Sequence, residues 1–512
     1  MGKVNQIKVG SVITYLQLFL NIVISIVYTP IMLRILGPGE HGLYSTVSSV
    51  ISWLSILSLG LGSSYIRYYA KYKAKGEQRG INSLNGLFLL LFGIIGCIAL
   101  VCGILISNNL NLVFAGGLTA EEYETARVLS LIVTFDLAIS FPASVFSAVL
   151  RSQEKFVYVK LLNMLQSVCS PLVTLPVLYL GYGSVGMVAV TTAIDLLVYL
   201  LNFLYCLKLG TKFSLKRYEK GLLRGIASFS SFIAINMIVA QINSNLDKIL
   251  LGRFAGTTSV SVYAIGFSLY SYYCSFSTAI VGLFAPRVHK MVNEYNDDAV
   301  ALQRAQTELF VRIGRLQFFI QLLLCSGILF FGRPFIRFWA GEAYENSYYI
   351  ALVLCIAYTV PLCQDVGREM QRAQNKHQIR TFANLIAAFA NVAISILLIK
   401  WFGELGAPIG TAIATIAVGV IFVNWYYQKH MYIKVGAFWR AIASIILRLS
   451  PVLALGAVIG LLAPMHTIPL LLLFIGVYSV LYGIAAYFLV MNPYERSLVS
   501  DFFKKFKRGK GV

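Results

Sequence analysis

Three aspartates lie in or beside long apolar runs of the sequence. Asp136 and Asp195 fall well inside two of these runs, and Asp247 stands near the end of a third, next to Lys248. A charge at the centre of a lipid-embedded helix costs roughly 2.5–3.5 kcal/mol, so it usually faces a cavity or a partner. We therefore take Asp136, Asp195 and Asp247 as candidates to bind a cation or carry a proton. The alternatives are hydrogen bonds between packed helices for Asp136 and Asp195, and an interfacial or mutually paired Asp247 and Lys248.

Arginines occur where other apolar runs end. Arg67 and Arg287 close two such runs, in the register of the repeated segments described below. A guanidinium binds phosphate through a planar fork, so two arginines facing one cleft can hold a diphosphate. The alternative is that both anchor helix ends at the membrane surface. Arg312 and Arg315 are further candidates, although Glu308 lies one helical turn before Arg312 and also fits a self-paired turn.

Short segments recur at a nearly constant offset. RSQEK at 151–155 returns as RAQNK at 372–376, and GSVG at 183–186 returns as GELG at 403–406. Several matches in the same register indicate an internal duplication. Each copy lies between long apolar runs, so the duplicated unit consists mainly of such runs.

The composition identifies the class of protein. The 512-residue chain is 58% hydrophobic and 12% charged, whereas a soluble domain has roughly a quarter of its residues charged. The apolar runs are long and continuous, which predicts an all-α integral membrane protein and not a barrel of short alternating strands. The net charge of +21 is explained by basic loops, so no nucleic acid is expected as a partner.

The hydropathy pattern predicts fourteen transmembrane helices. Of the 42 Lys and Arg residues, 32 fall in the predicted inner loops and five in the outer loops, which places both termini in the cytoplasm. The predicted spans are 9–33, 42–65, 81–106, 125–150, 156–180, 184–208, 223–251, 257–285, 309–331, 346–370, 378–402, 406–429, 441–462 and 468–491.

The duplication and the spans together predict the domain organisation. Residues 1–210 form an N-terminal lobe of six spans, and residues 211–432 form a C-terminal lobe of six. Six is even, so the two copies are parallel repeats related by an axis along the membrane normal. Residues 433–512 add two unmatched C-terminal helices and a basic cytoplasmic tail.

No set of residues suggests catalysis. None of the five histidines pairs with Cys or Glu at metal-ligand spacing, and the sequence has no phosphate-binding loop of the Gly-Lys-Ser/Thr type. The eight cysteines lie in apolar runs and lack metal-ligand spacing. We therefore expect a transporter, with no enzymatic activity, no metal and no cofactor apart from a candidate coupling ion, Na⁺ or H⁺.

Several ordered motifs resemble those of one transporter family, the Wzx-type oligosaccharide flippases. The motifs are LRILGPGEHGLYS at 33–45, NLDKILLG at 245–252 followed by Tyr263, QNK at 374–376 followed by Asn384 and Asn391, and FGELGA at 402–407 followed by Gly410 and Thr411. This family belongs to the multidrug/oligosaccharidyl-lipid/polysaccharide exporter superfamily.

The resemblance implies two six-helix lobes around a central cavity, with spans thirteen and fourteen helping to accommodate lipid. It implies a multi-pass protein of the bacterial cytoplasmic membrane that takes part in cell-surface polysaccharide biosynthesis. Its substrate is then undecaprenyl-diphosphate-linked oligosaccharide, moved from the inner to the outer leaflet by alternating access. Membrane lipids, a polysaccharide polymerase and glycosyltransferases are the expected partners.

Two other functions compete with the flippase. A cation-coupled multidrug exporter of the same superfamily typically has twelve spans and an acidic, aromatic cavity. A membrane-bound glycan polymerase needs a large outer loop, whereas the longest predicted outer loops, 107–124 and 332–345, are short.

Overall fold

The computed structural model describes residues 3–114, 117–215, 221–295, 298–374, 376, 378–497 and 500. Within these ranges the chain forms helices and no β-strand, so the predicted all-α class is confirmed. The predicted basic tail lies outside the described residues, apart from its first few positions.

The helices follow one another with short connections. They are α1 Lys3–Ser52, α2 Leu61–Ala74, α3 Gln78–Ser107, α4 Asn111–Phe114, α5 Ala120–Ser152, α6 Phe156–Tyr179, α7 Gly183–Lys208, α8 Leu222–Gln241, α9 Asp247–Phe254, α10 Gly256–Glu294, α11 Ala299–Trp339, α12 Ser347–Cys363, α13 Asp365–Ala373, α14 Gln378–Phe402, α15 Gly406–Ala414, α16 Val423–His430, α17 Val435–Leu462 and α18 Ile468–Ala485. Short 3₁₀ or π turns cover 53–58, 242–246, 342–344, 403–405, 415–422 and 486–490.

Many of these helices are long and apolar enough to cross a membrane. Among the described residues there are ten such segments, and a bent pair formed by Leu222–Ser228 and Ile233–Phe254 would make eleven. The chain is therefore a multi-pass membrane protein. Two of the ten, Leu16–Ala74 and Gln378–His430, are 59 and 53 residues long, and each overlaps two of the predicted spans. The count of fourteen stays a prediction.

The first of these long segments is not straight. Gly37 interrupts α1 with φ 72° and ψ 171°, inside the loop predicted between spans one and two. A second break follows at Leu59 and Gly60, which have φ values of 46° and 69°. Arg67 therefore lies on a separate helix, α2, and not at the end of an unbroken second span.

The repeated segment RSQEK/RAQNK folds in the same way in both copies. After α5, the amide of Lys155 donates to the carbonyl of Leu150 at 2.9 Å, and after α13 the amide of Lys376 donates to that of Gln371 at 2.9 Å. This six-to-one hydrogen bond closes the end of a helix. Donor and acceptor occupy equivalent positions in the two copies, so the sequence repeat is matched by a repeated helix cap.

The second repeated segment starts with a glycine that has the same conformation in both copies. Gly183 has φ 54° and Gly403 has φ 55°. This left-handed region is disfavoured for residues with a Cβ atom, which explains why glycine opens both GSVG and GELG. The duplication found in the sequence thus extends to backbone geometry, while the arrangement into two six-helix lobes stays a prediction.

The chain packs as two compact units. The first consists of Met1–Ala264 with Val392–Ala407, and the second of Ile265–Asn391 with Pro408–Val512. The first has a core that includes Tyr65, Phe88 and Val149. The second has a core that includes Phe310 and Phe438. The division into lobes at residues 210 and 432 stays a prediction.

Helix α11 is the main scaffold of the second unit. It begins well before the predicted start of span nine, because the Asp298 side chain accepts hydrogen bonds from the first-turn amides of Val300 and Ala301 at 3.0 and 2.9 Å. From α18, the Tyr482 hydroxyl donates to the carbonyl of Phe319 at 2.9 Å. These contacts hold the start and the middle of α11, so its polar early turns have fixed positions.

Candidate functional site

Basic side chains meet in a pocket between α10 and α11 of the second unit. This α10–α11 pocket has a volume of about 350 Å³, and its lining includes Arg287 and Lys290 from α10 and Glu308 and Arg312 from α11. The structure thus brings together two of the arginines that the sequence singled out, Arg287 and Arg312. Neither was predicted from the sequence to contact the other.

The charges of the α10–α11 pocket are only partly compensated. Lys290 lies 3.4 Å from Glu294, and Arg312 lies 2.9 Å from Glu308. Arg287 is exposed and has no ion pair among the described residues. Its guanidinium is therefore the group in this pocket that can bind an anion without first breaking an ion pair.

A larger pocket lies on the other side of the same turns of α11. This α11–α17 pocket has a volume of about 630 Å³. Its basic lining consists of Arg304, Arg312 and Arg315 from α11 and Lys434 at the start of α17. Arg312 and Glu308 line both pockets, so one ion pair separates two basic cavities.

Arg315 is held by a buried carboxylate. Its Nε and Nη2 atoms donate to the two carboxylate oxygens of Glu495 at 2.7 and 3.0 Å. The side chain of Glu495 is 0% exposed and that of Arg315 is 16% exposed. Such a two-point bond fixes the segment after α18 against α11. Contact of Arg315 with a substrate stays a prediction.

Arg67 lies in the first unit, on an exposed position of α2. Its counterpart in the repeat, Arg287, lies in the second unit. The idea that these two arginines share one cleft therefore stays a prediction. The structure connects Arg287 with Arg312 instead.

Two of the predicted aspartates come together inside the first unit. Asp136 of α5 lies within electrostatic reach of Asp195 and of the Tyr199 hydroxyl, both on α7. Asp195 accepts a hydrogen bond from the Gln166 amide of α6. One carboxylate oxygen of Asp136 is buried without a hydrogen-bond partner in the described part of the chain. We call these four residues the carboxylate cluster.

Asp247 is buried, being 3% exposed, whereas Asp136 and Asp195 are half-buried. It begins α9 and accepts a hydrogen bond from the Tyr263 hydroxyl at 2.8 Å. In the same unit, His41 Nδ1 lies 2.7 Å from the Ser261 hydroxyl. Asp247 is thus part of a polar interior and does not lie at the surface. It is separate from the carboxylate cluster in the sequence and lies on another helix.

The sequence analysis did not identify several residues of these sites. Gln166 and Tyr199 lie inside predicted spans, and a polar side chain in an apolar helix is a signal that can be read. Arg304 and Lys434 lie in predicted inner loops, where basic residues are abundant. Nothing local distinguishes them, because Lys434 reaches the pocket only through the packing of α17 beside α11.

A further polar cluster follows α12. Asp365 is 6% exposed and accepts a hydrogen bond from Arg368. Arg380 donates to the Tyr427 hydroxyl at 2.9 Å and to the Gln371 amide oxygen at 3.3 Å. The spacing of Asp365 and Arg368 by one helical turn was the available sequence signal. These contacts join α13, α14 and α16 and act as packing bonds.

The described residues contain no group of three or more His, Cys, Asp or Glu side chains that could hold a metal ion. The cysteines are all free thiols.

Comparison with known proteins places this geometry in a family. Residues 8–292 match the model of the family described as "Polysaccharide biosynthesis protein". A putative O-antigen transporter of Shigella flexneri is 21% identical over 407 residues, covering 77% of this chain and 91% of the relative. A probable low-salt glycan biosynthesis flippase, Agl15 of Haloferax volcanii, is 22% identical over 291 residues, covering 55% and 57%.

Solved structures show the same fold. The lipid II flippase MurJ in an inward closed conformation has a TM-score of 0.70 at 16% identity, covering 96% of this chain and 99% of MurJ. An inward-facing multidrug resistance transporter of the MATE family, in the MOP superfamily, has a TM-score of 0.63 at 14% identity, covering 79% and 94%. These likenesses confirm the resemblance read from the sequence motifs. With a family match over more than half of its length, the chain belongs to the family described as "Polysaccharide biosynthesis protein".

Proposed function

We propose that this protein is a flippase for undecaprenyl-diphosphate-linked oligosaccharide. It moves this substrate from the inner to the outer leaflet of the bacterial cytoplasmic membrane by alternating access, for cell-surface polysaccharide biosynthesis. Family membership and relatives named as an O-antigen transporter and a glycan biosynthesis flippase support the proposal. Because those relatives are transporters, we propose no enzymatic step.

The observation that carries the proposal is the pair of contrasting pockets along α11. The α10–α11 pocket is basic and involves residues 305–312 of this helix. A second pocket of about 260 Å³ lies farther along it, between residues 323–336 of α11, Leu269 of α10 and residues 475–479 of α18. Its lining is apolar except for Tyr478 and Ser479. A polyprenyl diphosphate needs both surroundings, a charged one for phosphate and an apolar one for the chain.

The two pockets are separated by a length that suits an extended amphiphile. Position 327 of α11 is seventeen residues beyond position 310, which at about 1.5 Å per residue corresponds to roughly 25 Å along the helix. Arg287 and Arg312 are the proposed diphosphate ligands of the second unit. Arg67 and Arg315 remain candidates that contact the substrate in another state of the cycle.

The proposed topology has fourteen spans with both termini in the cytoplasm. The first twelve form two parallel six-helix lobes, 1–210 and 211–432, and residues 433–512 supply the last two spans and the tail. The concentration of Lys and Arg in alternate loops supports this orientation. In the proposed orientation the basic early turns of α11 lie on the cytoplasmic side, from which the substrate would be moved.

The carboxylate cluster is the proposed site of ion coupling. Asp136 and Asp195 lie on neighbouring helices with a glutamine and a tyrosine around them, a set of oxygens that can hold Na⁺ or exchange H⁺. Asp247 is a second candidate in the same unit. Besides membrane lipids, the proposed partners are a polysaccharide polymerase and glycosyltransferases.

A cation-coupled multidrug exporter is the second candidate function. The likeness to a MATE-family transporter favours it, as does the cluster of half-buried carboxylates. In that case the cluster would serve a small cationic substrate or its counter-ion, and the basic pockets of the second unit would have no role in transport.

The deciding experiment measures transport of both substrate classes by the same preparation. In vesicles containing the purified protein and a fluorescent undecaprenyl-diphosphate oligosaccharide, we expect the labelled sugar to become accessible to an external quencher. Arg287→Gln should slow this appearance, and Arg440→Gln, an exposed arginine outside the pockets, should not. Extrusion of ethidium with no movement of the lipid-linked sugar would reject the flippase in favour of the exporter.

A further inference from the structure

The α11–α17 pocket has a volume and a lining that the proposed transport does not explain. It is the larger of the two basic pockets, with a volume of about 630 Å³, within the range of roughly 300–1,000 Å³ typical of small-ligand sites. Its walls are the early turns of α11, the start of α17 and Asn492 beyond α18. The C-terminal part of the chain, which has no counterpart in the sequence repeat, therefore forms part of this cavity.

Two of the four basic residues in this pocket are already paired. Arg315 is bound by Glu495, and Arg312 by Glu308. Arg304 and Lys434 are exposed and have no ion pair among the described residues. The pocket thus presents two uncompensated cations to one volume. That arrangement suits a phosphate group, which carries several acceptor oxygens.

Neutral donors and the start of a helix add to the positive potential. Gln303, Thr307 and Asn492 line the pocket with polar atoms. The Lys434 amide donates to the Thr307 hydroxyl at 3.2 Å, which places the first turn of α17 at the cavity. No acidic residue occurs in that turn, so the partial positive charge of the helix N-terminus is uncompensated there.

The surroundings of the pocket are those of a membrane–water interface. Val300, Val311 and Ala437 contribute apolar surface to its lining. Near the start of α17, the side chains of Tyr432 and Trp439 are 65% and 39% exposed. Tyrosine and tryptophan in such positions mark the level of lipid headgroups. An anion bound here would therefore be part of a lipid and not a solute from bulk water.

We propose that the α11–α17 pocket binds the phosphate group of an anionic phospholipid headgroup. Arg304 and Lys434 contact the phosphate oxygens, and Gln303 and Asn492 are placed to bond the remaining polar atoms of the headgroup. The bound lipid is a resident of the membrane and is not transported. The proposal requires only a membrane-embedded protein, so it is independent of the proposed flippase activity.

A lipid in this position would affect the α10–α11 pocket, because the ion pair of Arg312 and Glu308 lines both pockets. Arg312 stacks on the ring of Tyr494 at 4.3 Å and is bonded to Glu308. A phosphate beside Arg312 would compete with Glu308 for its guanidinium. The α11–α17 pocket is thus positioned to influence the charge of the α10–α11 pocket.

The test is native mass spectrometry of the full-length protein titrated with lipid. Phosphatidylglycerol should bind the parent protein with at least one tightly held molecule, and phosphatidylcholine should not. We expect the double variant Arg304→Gln, Lys434→Gln to bind that molecule about tenfold or more weakly, since each charge-assisted bond to phosphate contributes on this scale. Arg440→Gln, an exposed arginine of α17 outside the lining, should bind as the parent does.

A second variant separates the cavity from general surface charge. Ala437→Phe fills the pocket and keeps every charge, so it should also weaken lipid binding about tenfold. Equal retention of phosphatidylglycerol by the parent, the double variant and Ala437→Phe would overturn the proposal. Binding of inorganic phosphate at the same strength as phosphatidylglycerol would assign the pocket to a soluble anion and would also overturn it.

Discussion

The carboxylate cluster of the first unit and the basic pockets of the second unit differ in whether their charged groups have partners of opposite charge. In the cluster, Asp136 and Asp195 have a neighbouring tyrosine and glutamine but no basic partner among the described residues. In the pockets, Arg312 and Arg315 each have their own carboxylate. Neutral neighbours leave negative charge available to a small cation, whereas paired arginines leave only a few free positive groups for an anion.

We infer from this difference that the first unit binds the coupling ion and the second unit binds the phosphate of the substrate. Coupling requires a group whose charge state can change, and an unpaired carboxylate can bind and release a cation. Recognition of a phosphate requires uncompensated positive groups, and Arg287, Arg304 and Lys434 have no ion pair among the described residues. Four variants can break or sharpen this contrast, beginning with the largest expected effect.

Removing the carboxylate of Glu495 should lower the stability of the folded protein by the largest amount. Glu495→Gln leaves Arg315 in a mostly buried position without its counter-charge, and breaking one partner of a buried ion pair typically costs about 3–5 kcal/mol. We expect a clear fall in the thermal unfolding midpoint of the detergent-solubilised protein. Glu308→Gln, which breaks an exposed pair on the same helix, should shift it little. Equal shifts for the two variants would show that Arg315 is not held in this way.

Neutralising the carboxylate cluster should abolish coupling and leave the fold intact. Asp136→Asn with Asp195→Asn keeps the side-chain shapes and removes both charges, so transport should lose its dependence on a Na⁺ or H⁺ gradient. We expect the gradient-driven part of the rate to fall about tenfold or more, as measured in vesicles with an imposed gradient. Gradient-dependent transport at the parent rate would remove the cluster from the coupling mechanism.

Removing the free guanidinium of the α10–α11 pocket should weaken substrate binding. Arg287→Gln eliminates a charge-assisted bond to phosphate, which is worth about 1.5–3 kcal/mol, or roughly a tenfold or greater loss. Half-saturating concentrations of the lipid-linked oligosaccharide, measured in the quenching assay, should rise accordingly. Arg287→Lys should restore part of the affinity, because a lysine keeps the charge without the fork. An unchanged half-saturating concentration in Arg287→Gln would exclude this guanidinium as a phosphate ligand.

The smallest effect is expected from the neutral partner of the cluster. Gln166→Leu removes the hydrogen bond to Asp195 but leaves both carboxylates. A few-fold change in the ion concentration that half-saturates coupling is expected, since a single neutral donor contributes about 0.5–1.5 kcal/mol. A change as large as that of the double aspartate variant would mean that the amide itself is a ligand.

Much of the fold was predictable because apolar runs of membrane length leave few alternatives. The all-helical, multi-pass architecture and the family resemblance came directly from such runs and from ordered motifs. The early start of α11 was missed because residues 299–308 are too polar to count as a span, although the Asp298 cap starts the helix there. The bend at Leu59 and Gly60 was missed because no local pattern required it.

The candidate sites were predictable only as isolated residues. Charges in apolar runs pointed to Asp136, Asp195 and Asp247, but Asp136, Asp195 and Gln166 of the cluster lie on three different helices. Gln166 is 29 residues from Asp195, and Thr307 is 127 residues from Lys434. Such distances along the chain carry no periodic signal. The meeting of Arg287 with Arg312 in one pocket could likewise be found only from the packing of α10 against α11.

The two matching helix caps, closed by Lys155 and by Lys376, are two equivalent sites within one chain. Positions in one copy have counterparts in the other, with the same local backbone where GSVG and GELG begin. A substitution made at both counterparts therefore compares two environments within one polypeptide, at the same expression level and in the same membrane. Where the paired outcomes diverge, the difference reports the surroundings of the two positions and not their local backbone.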